Sequence, residues 1–344
     1  MRELVRELVE GTEVAVEAVD VVVLAYRPEL SLERCVESAL EAGASRVVVA
    51  VNNGAEAVAP SLDPLVAKWG GQPVEVLPLG HNWGYAEGLN RALEQVLGAV
   101  GAPLVLLLND DAWLAPGALH EMVQLMARAG PRVAGVVPKV LLGDSERIDS
   151  VGASILADGW VANRGHGERD EGQYDRVEDV AGACFAAVLL CREALLDVGP
   201  LWSPLFMYAE DADWCLRARL AGWRFVTCPT AVVRHQHSLS TATLPPAWKV
   251  RQIRRNSMLV VVRGFPFRHA LGLSLVHLWQ DIRGWPAQPR PVVRVAPSFL
   301  RLLPAALAGR RRIRGLVRKS PVDSLLFDGR EVAQPRRPPV SAVE

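Results

Sequence analysis

The stretch "LVLLLNDDAWLAPGAL" (residues 104–119) places two adjacent carboxylates directly after a run of hydrocarbon side chains. Residues 104–108 carry no polar side chain, which is typical of a strand buried on both faces of a sheet. Asn109, Asp110 and Asp111 follow, and no basic residue stands beside them in the sequence. Neighbouring carboxylates repel each other and lose hydration where a strand leaves the core. The pattern therefore predicts that a positive group, or water, reaches Asp110 and Asp111.

Strands and helices alternate along the first half of the chain. Apolar strands are predicted at residues 19–26, 46–51, 74–79, 104–108 and 133–142. Helices are predicted between them, at residues 31–43, 62–68, 85–100 and 116–128. Unbroken apolar strands joined by helices indicate an α/β fold, with a mostly parallel sheet and helices on both faces. In such sheets ligands bind beyond the carboxyl ends of the strands.

Polar residues follow three of these strands, at the edge where a ligand is expected: Tyr26, Asn52–Asn53 and Asn109–Asp111. The glycine motif of dinucleotide folds and the P-loop are both absent, so glycine-rich loops do not cradle a phosphate here. A divalent cation, Mg²⁺ or Mn²⁺, that bridges the carboxylates to a nucleotide diphosphate would supply the missing positive charge. The alternative is a solvent-exposed acidic turn that caps the helix beginning near Pro116.

A second acidic cluster opens the predicted helix in "FMYAEDADWCLRARLAGWRF" (residues 206–225). Glu210, Asp211 and Asp213 fall in its first turn. Asp213 and Arg217 are four residues apart, so they can pair on one helix face. Acids at a helix N-terminus also stabilise the helix dipole, but three acids exceed that need.

Two histidines, His235 and His237, lie two residues apart in and just beyond the predicted strand of "CPTAVVRHQHS" (residues 228–238). They therefore face the same side of that strand. In a chain with only seven histidines, this pair indicates metal binding or substrate contact, and the alternative is an ordinary surface or core role.

Charge is distributed unevenly along the chain. The 344 residues are 50% hydrophobic and 22% charged, with a formal net charge of zero. From Lys249 onward, about nineteen basic residues stand against about five acids. We predict an N-terminal segment (1–17), a main α/β domain (18–245) and a basic helical extension (246–344) with a disordered end. The amphipathic stretch at 299–319 suits an anionic membrane surface, and packing against the main domain is the alternative.

The cysteines and the hydropathy indicate where the protein works. The five cysteines form no C-x-x-C pair and lie among apolar residues, which favours a reducing compartment and thiols used in the core. The N-terminus lacks a signal-peptide pattern, and no unbroken run of about 18 apolar residues occurs. We expect a cytoplasmic protein, peripheral at the inner face of the plasma membrane if the extension binds lipid, with no nucleic-acid partner.

Seven segments, in order between Val19 and Ser240, resemble the family 2 glycosyltransferases of the GT-A fold, especially the rhamnosyltransferase-like bacterial branch. They are "VVVLAYRP", "VVVAVNNGAE", "GHNWGYAEGLNRAL", "LLLNDDAWLAPGAL", "VAGACFAAVLLCREALLDVGPL", "FMYAEDADWCLRARLAGWR" and "AVVRHQHS". One such segment would be weak evidence, but seven in order are strong. The resemblance implies a nucleotide-diphospho-sugar transferase fold with a mostly parallel, Rossmann-like sheet.

For the metal, the resemblance implies that Asp111 is the binding aspartate of a D-x-D element. Asn109 replaces the first acid of that element, and Asp110 fills its variable middle position. His235 corresponds to the histidine that completes the metal or diphosphate site. The implied cofactor is Mn²⁺ or Mg²⁺.

For catalysis, the resemblance implies Asp211 as the general base and Glu210 as its partner. The dipole of the helix predicts a lowered pKa for Asp211, with the charge of Glu210 opposing that shift. Trp214 and Gly182 are expected on the acceptor side.

For the donor, the resemblance implies a pocket lined by Ala25, Tyr26, Asn52, Asn82, Gly84, Asn90, Asn109 and Asp110. Two departures affect it. Asn52 stands where an aspartate normally meets the nucleotide base, although its amide oxygen can accept from a pyrimidine N3–H. Ala55-Glu56-Ala57 replaces the usual Ser-Thr-Asp, which weakens a phosphate-binding role there.

The implied reaction is inversion at the anomeric carbon by single displacement. The donor is a UDP-, dTDP- or GDP-sugar, and the acceptor is a glycan or lipid-linked hydroxyl in cell-envelope or exported polysaccharide synthesis. The alternatives are a non-catalytic sugar-nucleotide-binding scaffold of a glycan assembly complex, and a homo-oligomer or assembly partner in which the extension is the functional part.

Overall fold

A computed structural model describes most of the chain, namely residues 19–26, 31–53, 67–98, 101–155, 161–236, 244–267, 270–272, 275 and 295–316. The predicted N-terminal segment (1–17), most of the predicted helix at 62–68, His237 and the predicted disordered end lie outside the described residues.

The described residues form a large sheet, a two-stranded ribbon and flanking helices. The strands are β1 (Val19–Ala25), β2 (Arg46–Val51), β3 (Val74–Pro78), β4 (Leu104–Asn109), β5 (Ala112–Leu114), β6 (Val133–Leu142), β7 (Ile148–Ser150), β8 (Ala153–Ile155), β9 (Val161–Asn163), β10 (Asp179–Val180), β11 (Ala187–Cys191) and β12 (Arg224–His235). The helices are α1 (Leu32–Glu41), α2 (Gly84–Val96), α3 (Ala118–Arg128), α4 (Arg192–Val198), α5 (Glu210–Leu220), α6 (Pro246–Gly264) and α7 (Val295–Leu316).

The sheet runs in the order β10-β12-β6-β11-β4-β1-β2-β3, with β5 paired to β12 and β7 paired to β6. The neighbours β3, β2, β1 and β4 are parallel, and β6 is parallel to β12. Only β11 breaks this long central run of described strands, because it lies antiparallel between β4 and β6. Ala187, the first residue of β11, pairs with Leu108. The segment before β11 therefore arrives at the edge where β4 ends.

The strands β1, β2, β4 and β6 are buried on both faces, as their apolar runs predict, whereas β3 at the edge of the sheet is only partly buried. Alternate residues of β1 enter two different cores: Val21 and Val23 pack with α1 and α3, whereas Val22 and Leu24 pack with α2, α4 and α5. The α/β layering predicted from the sequence is confirmed. One helix begins later than expected, at Ala118 rather than near Pro116, because the intervening Gly117 has a left-handed φ of 79° that a right-handed helix excludes.

The five cysteines are free thiols, as predicted. Cys35, Cys215 and Cys228 are buried in the two cores, while Cys184 and Cys191 are partly buried. Burial raises the pKa of each thiol. The thiols therefore stay protonated near neutral pH and serve as small core residues.

The extension packs directly on the main sheet domain through α5. Leu216 and Leu220 of α5 share a buried cluster with residues of α6 and α7. Asp213 accepts hydrogen bonds from Arg217 Nε at 2.9 Å and from Arg263 Nε of α6 at 2.7 Å. The predicted Asp213–Arg217 pair is confirmed, and Arg263 ties the extension to it. Within the described part of the chain, no helix has the length and hydropathy to cross a bilayer.

Candidate functional site

The segment Asn109–Asp111, called here the acidic edge, lies at the carboxyl end of β4 beside the end of β1. Asp110 Oδ2 accepts the Tyr26 backbone N–H at 3.1 Å, and the Ser31 hydroxyl donates to the Asp110 carbonyl at 2.8 Å. Burial and the charge of Asp111 raise the pKa of Asp110 to about 7. Tyr26 thus meets the acidic edge through its backbone, which fixes Asp110 against β1.

His235 supplies the positive group that the acidic edge requires. Its Nε2 lies 2.9 Å from Asp111 Oδ1, and its Nδ1 lies 2.6 Å from Asp149 Oδ2. Burial would lower the pKa of His235, but hydrogen bonds to the two carboxylates outweigh burial and raise it to about 10. The imidazole is therefore protonated at neutral pH when only these groups surround it.

Asp149 and His166 belong to this network although the sequence patterns did not reveal a role for either. Asp149 lies in β7 and is 1% exposed. His166 Nδ1 lies 3.0 Å from both the carbonyl oxygen and Oδ1 of Asp149. Asp149 is 86 positions from His235 in sequence, so only the pairing of β7 with β6 and of β6 with β12 reveals their contact.

Asn52 and Gly84 shape the turn that starts α2. Asn52 Oδ1 accepts the Trp83 N–H at 2.9 Å, and its Nδ2 donates to the Gly84 carbonyl at 2.9 Å. Asn82 Oδ1 accepts the Gly84 N–H at 2.9 Å. Gly84 has a φ of +76°, and a Cβ there would lie 2.4 Å from the Phe206 ring. Both ends of the Asn52 amide are therefore engaged in holding this turn.

Two other residues predicted to line the donor pocket, Asn90 and Ala25, make contacts within the protein. Asn90 Nδ2 donates to the Leu201 carbonyl at 3.0 Å and Asn90 Oδ1 accepts the Leu201 N–H at 2.8 Å, so this side chain brackets a loop to α2. Ala25 is fully buried at the end of β1. Contact of either residue with a donor stays a prediction.

Glu210 and Asp211, called here the acidic pair, open α5. Glu210 is 6% exposed, and its Oε2 has no hydrogen-bond partner among the described residues. Burial and the charge of Asp211 raise the pKa of Glu210 well above its usual value. Burial also raises the pKa of Asp211, to about 6, although the backbone N–H groups of Ala212 and Phe185 oppose this shift. The predicted lowering of the Asp211 pKa is therefore wrong, because lost hydration outweighs the helix dipole.

Tyr85 and Phe185 join the acidic edge to the acidic pair. The Tyr85 hydroxyl lies 3.0 Å from Asn109 Oδ1 and 2.8 Å from the Phe185 carbonyl oxygen. The Phe185 N–H in turn hydrogen-bonds Asp211. Burial raises the pKa of the Tyr85 hydroxyl, and the charges of Glu210, Asp211 and Asp110 raise it further. The two clusters therefore surround one side chain and form one site.

The two residues expected on the acceptor side have packing roles. Trp214 is fully buried, contacts Phe185 and Phe225, and donates its indole N–H to the Gly199 carbonyl at 2.9 Å. Gly182 lies against α5, where a Cβ would come within 2.7 Å of Cys215 Cβ. The indole ring of Trp214 is enclosed in the core, and the acceptor-side role of both residues stays a prediction.

A divalent cation fits the Asp111–His235 contact. These side chains offer a carboxylate oxygen and an imidazole nitrogen that face each other, and Asp149 holds the second ring nitrogen as carboxylates commonly do for ligating histidines. Among the described residues no three His, Cys, Asp or Glu side chains converge to hold a metal by themselves. Mg²⁺ is often bound by one or two carboxylates together with substrate phosphates. The donor set therefore fits a cation that binds with a phosphate-bearing ligand.

The family follows from a match over most of the chain. A family model described as "Glycosyltransferase like family 2" matches residues 17–258. The chain belongs to glycosyltransferase-like family 2. This match includes the acidic edge, the acidic pair and His235, and it continues into α6. The predicted family is thereby confirmed.

Relatives of this family 2 chain include an enzyme of Mycobacterium tuberculosis. The chain is 29% identical over 193 residues to the N-acetylglucosaminyl-diphospho-decaprenol L-rhamnosyltransferase of two strains, CDC 1551 and H37Rv. The matched region spans 50% of this chain and 62% of that enzyme. The chain is also 32% identical over 208 residues to the uncharacterized protein y4gI of Sinorhizobium fredii, which covers 56% of this chain and 21% of that protein.

Solved structures with the same fold include GalNAc-T7 with UDP, GalNAc and Mn²⁺, and residues 1–349 of TarS from S. aureus. The first has a TM-score of 0.52 and 13% identity, with coverage of 75% of this chain and 54% of that chain. The second has a TM-score of 0.50 and 13% identity, with coverage of 87% of this chain and 83% of that chain. At this identity the similarity concerns the fold alone, and it confirms the predicted GT-A fold class.

Proposed function

We propose that this family 2 member is an inverting glycosyltransferase, which moves a sugar from a nucleotide-diphosphate donor to a hydroxyl of a glycan or lipid-linked acceptor. The observation that carries this proposal is the acidic pair beside the acidic edge. Glu210 Oε2 is buried without a partner among the described residues. Such an oxygen is costly unless a ligand donates a hydrogen bond to it. A hydroxyl of the acceptor other than the attacking one is a donor of the required kind.

Asp211 is the proposed general base. Its pKa of about 6 leaves most of it ionised at pH 7, and burial with the charge of Asp211 raises the pKa of Glu210 well above its usual value. The acceptor oxygen forms its bond to the anomeric carbon as the bond from that carbon to the diphosphate oxygen breaks. The hydroxyl proton passes to the Asp211 carboxylate. Attack opposite the leaving diphosphate inverts the anomeric carbon.

On the donor side, Asp111 and His235 are the proposed ligands of Mn²⁺ or Mg²⁺. A bound cation would stabilise the negative charge that develops on the leaving nucleoside diphosphate. Asp149 accepts from His235 Nδ1 and so leaves Nε2 as the ligating atom. Asp110, whose Oδ2 accepts the Tyr26 N–H at the end of β1, would add negative charge to the site when ionised.

The names of the relatives support the substrate classes. The rhamnosyltransferase of M. tuberculosis is named for an N-acetylglucosaminyl-diphospho-decaprenol acceptor, which supports a lipid-linked acceptor and a role in cell-envelope glycan synthesis. The GalNAc-T7 structure contains UDP and Mn²⁺, which supports a nucleotide donor and a cation. UDP-, dTDP- and GDP-sugars are all candidates here, because the Asn52 amide is already engaged in the turn before α2.

A donor panel tests the function. The purified chain is incubated with each nucleotide sugar, with Mn²⁺ or with excess chelator, and released nucleoside diphosphate is measured with and without lipid-diphosphate acceptors. We expect metal-dependent release for one donor and faster release with acceptor. Donor binding by calorimetry without any turnover would instead favour the non-catalytic scaffold. Activity unchanged by chelator would remove the cation and leave a basic side chain, such as Arg251 or Arg254, as the partner of the diphosphate.

The extension carries a second, independent proposal: that α7 rests on an anionic lipid surface. Five of the seven exposed large apolar side chains of the described residues lie in the extension, namely Phe267, Leu271, Leu275, Leu300 and Leu307. On α7, Leu300, Pro304, Leu307 and Arg311 are exposed at helical spacing, so they share one face. The described residues from 244 to 316 contain no Asp or Glu. Apolar and cationic side chains on one face favour anionic membranes.

Vesicle sedimentation tests this surface with lipids of defined charge. We expect binding to phosphatidylglycerol vesicles that weakens with added salt, and little binding to phosphatidylcholine vesicles. Leu300→Ser with Leu307→Ser should reduce binding, whereas Leu196→Ser, which changes an exposed side chain of α4, should not. No binding to either vesicle, with a concentration-dependent dimer in solution, would assign this face to a second copy of the chain.

A further inference from the structure

The turn that delivers the acidic pair has an unusual backbone. Phe206, Tyr208 and Ala209 all have positive φ values, of 64°, 72° and 64°. Residues with a Cβ rarely adopt this left-handed region, and they stay there only where the surroundings hold them. Glu210 and Asp211 follow immediately. The position of the acidic pair therefore depends on whatever holds residues 206–209.

One side chain of the extension holds this turn. Asn256 of α6 is fully buried, and its Nδ2 lies 2.9 Å from the Leu205 carbonyl oxygen, 2.8 Å from that of Met207 and 2.7 Å from that of Tyr208. Gln252, one turn earlier on α6, donates to the Leu205 carbonyl at 2.9 Å. The NH₂ group of Asn256 is thus within hydrogen-bond distance of three backbone carbonyls of the left-handed turn.

The opposite side of the turn contacts the donor half of the molecule. The Phe206 carbonyl accepts the Ala86 N–H of α2 at 3.1 Å. The Phe206 ring packs where only a glycine fits, since a Cβ on Gly84 would lie 2.4 Å from it. The turn is therefore held between α2 and α6, and movement on the α6 side would shift the acidic pair relative to the acidic edge.

Asn256 Oδ1 is itself oriented. It accepts a hydrogen bond from Arg255 Nε at 2.9 Å, and Arg255 also donates to the Leu205 carbonyl at 3.2 Å. This contact fixes which end of the amide is the oxygen, so that the NH₂ group faces the three carbonyls. The donor end of Asn256 is the part that the turn requires.

We propose that Asn256 is a positioning residue for the acidic pair, which makes α6 a part of the catalytic apparatus. This inference rests on the proposed role of Asp211 as the base. A displacement of about 1 Å at a reacting group is enough to lower turnover strongly while ligand binding elsewhere persists. The expected signature is a loss of kcat without a matching loss of donor affinity.

Asn256→Asp is the sharpest variant, because it keeps the shape and the Oδ1 contact with Arg255 but replaces the donor by an oxygen. Gln252→Met is a milder variant that removes one bond to Leu205 and keeps the apolar volume, in case Asn256→Asp does not fold. Ser257→Ala is the matched control: Ser257 is adjacent and fully buried, and its hydroxyl has no partner among the described residues.

We expect kcat to fall about thirtyfold in Asn256→Asp and a few-fold in Gln252→Met, with the donor Kd within about threefold and Ser257→Ala like the parent. Amide hydrogen exchange of residues 206–211 should accelerate in both variants. Turnover and exchange like the parent in both variants would overturn the proposal, as would equal losses of donor affinity and kcat. If the parent shows no turnover with any donor, the proposed function fails, and the exchange measurement still decides whether Asn256 holds the turn.

Discussion

The acidic edge and the acidic pair lie in one site but are assembled in different ways. The position of the acidic edge follows from strand register. Asn109 of β4 pairs with Leu24 at the end of β1, and His235 of β12 pairs with Ala112 of β5. The acidic pair depends on a left-handed turn that Asn256 holds from α6. The first cluster is fixed by the register of paired strands, and the second by side-chain hydrogen bonds from Asn256, which lies 49 and 48 positions from the two carbonyls of Met207 and Tyr208. Variants in the two clusters should therefore fail differently.

The largest effect is expected for Asp211→Asn. The amide keeps the shape of the side chain but cannot take a proton, so turnover should fall roughly a hundredfold or more, the usual contribution of a general base. Donor affinity should stay near that of the parent, because the acidic edge is unchanged. Turnover and donor binding are measured on the same sample. Turnover within about threefold of the parent would remove Asp211 from the mechanism, and lost donor binding in a folded protein would make it a binding residue. Glu210→Gln should be milder if Glu210 only orients the acceptor.

Variants of the acidic edge should lose donor binding, whereas Asp211→Asn should keep it and lose turnover. Asp111→Ala removes the carboxylate that faces His235 Nε2 at 2.9 Å, so metal-dependent donor binding should be abolished, a larger loss than the roughly tenfold to hundredfold that outer partners of a metal site contribute. Asp110→Ala is the matched neighbour and should cost less, since Asp110 is engaged by the Tyr26 N–H. Calorimetry with donor and Mn²⁺ measures both. Equal losses in the two variants would mean that the edge acts through its total charge rather than through one ligand.

This contrast also explains how much the sequence could predict. Apolar runs that end in Asn or Asp locate strand ends, so the sheet, Asp111 and His235 could be placed before any coordinates were known. Asn90 and Trp214 were expected to contact substrates because of the motifs around them, yet one brackets a loop and the other fills the core. Asp149 and Asn256 carry no periodic signal, because their contacts depend on tertiary packing. The pKa of Asp211 likewise required its burial, which a helix start does not reveal.

The pH dependence of turnover tests the acidic pair without any mutation. Burial raises the folded-state pKa of Asp211 to about 6, and only its ionised form can accept the hydroxyl proton. Turnover should therefore be constant above about pH 7 and fall tenfold per unit as the pH drops below about 6. A break near pH 4 would mean that the carboxyl is not desolvated during catalysis. The residual rate of Asp211→Asn serves as the control and should lack this break, with folding at each pH checked by circular dichroism.

The smallest effect concerns Asp149, which reaches the acidic edge only through His235. Its Oδ2 lies 2.6 Å from His235 Nδ1, so it fixes the ring with Nε2 toward Asp111. Asn in its place can still accept one hydrogen bond but no longer stabilises the ring by charge. Asp149→Asn should therefore weaken Mn²⁺ affinity about tenfold, the lower end of what outer partners of ligating histidines contribute. His166→Gln is the control, since His166 contacts the other oxygen of the same carboxylate, Oδ1. Mn²⁺ binding is followed by electron paramagnetic resonance in the presence of nucleoside diphosphate, independently of turnover. A loss well beyond about a hundredfold in Asp149→Asn would place that carboxylate on the metal itself, and an unchanged affinity would show that burial alone orients His235.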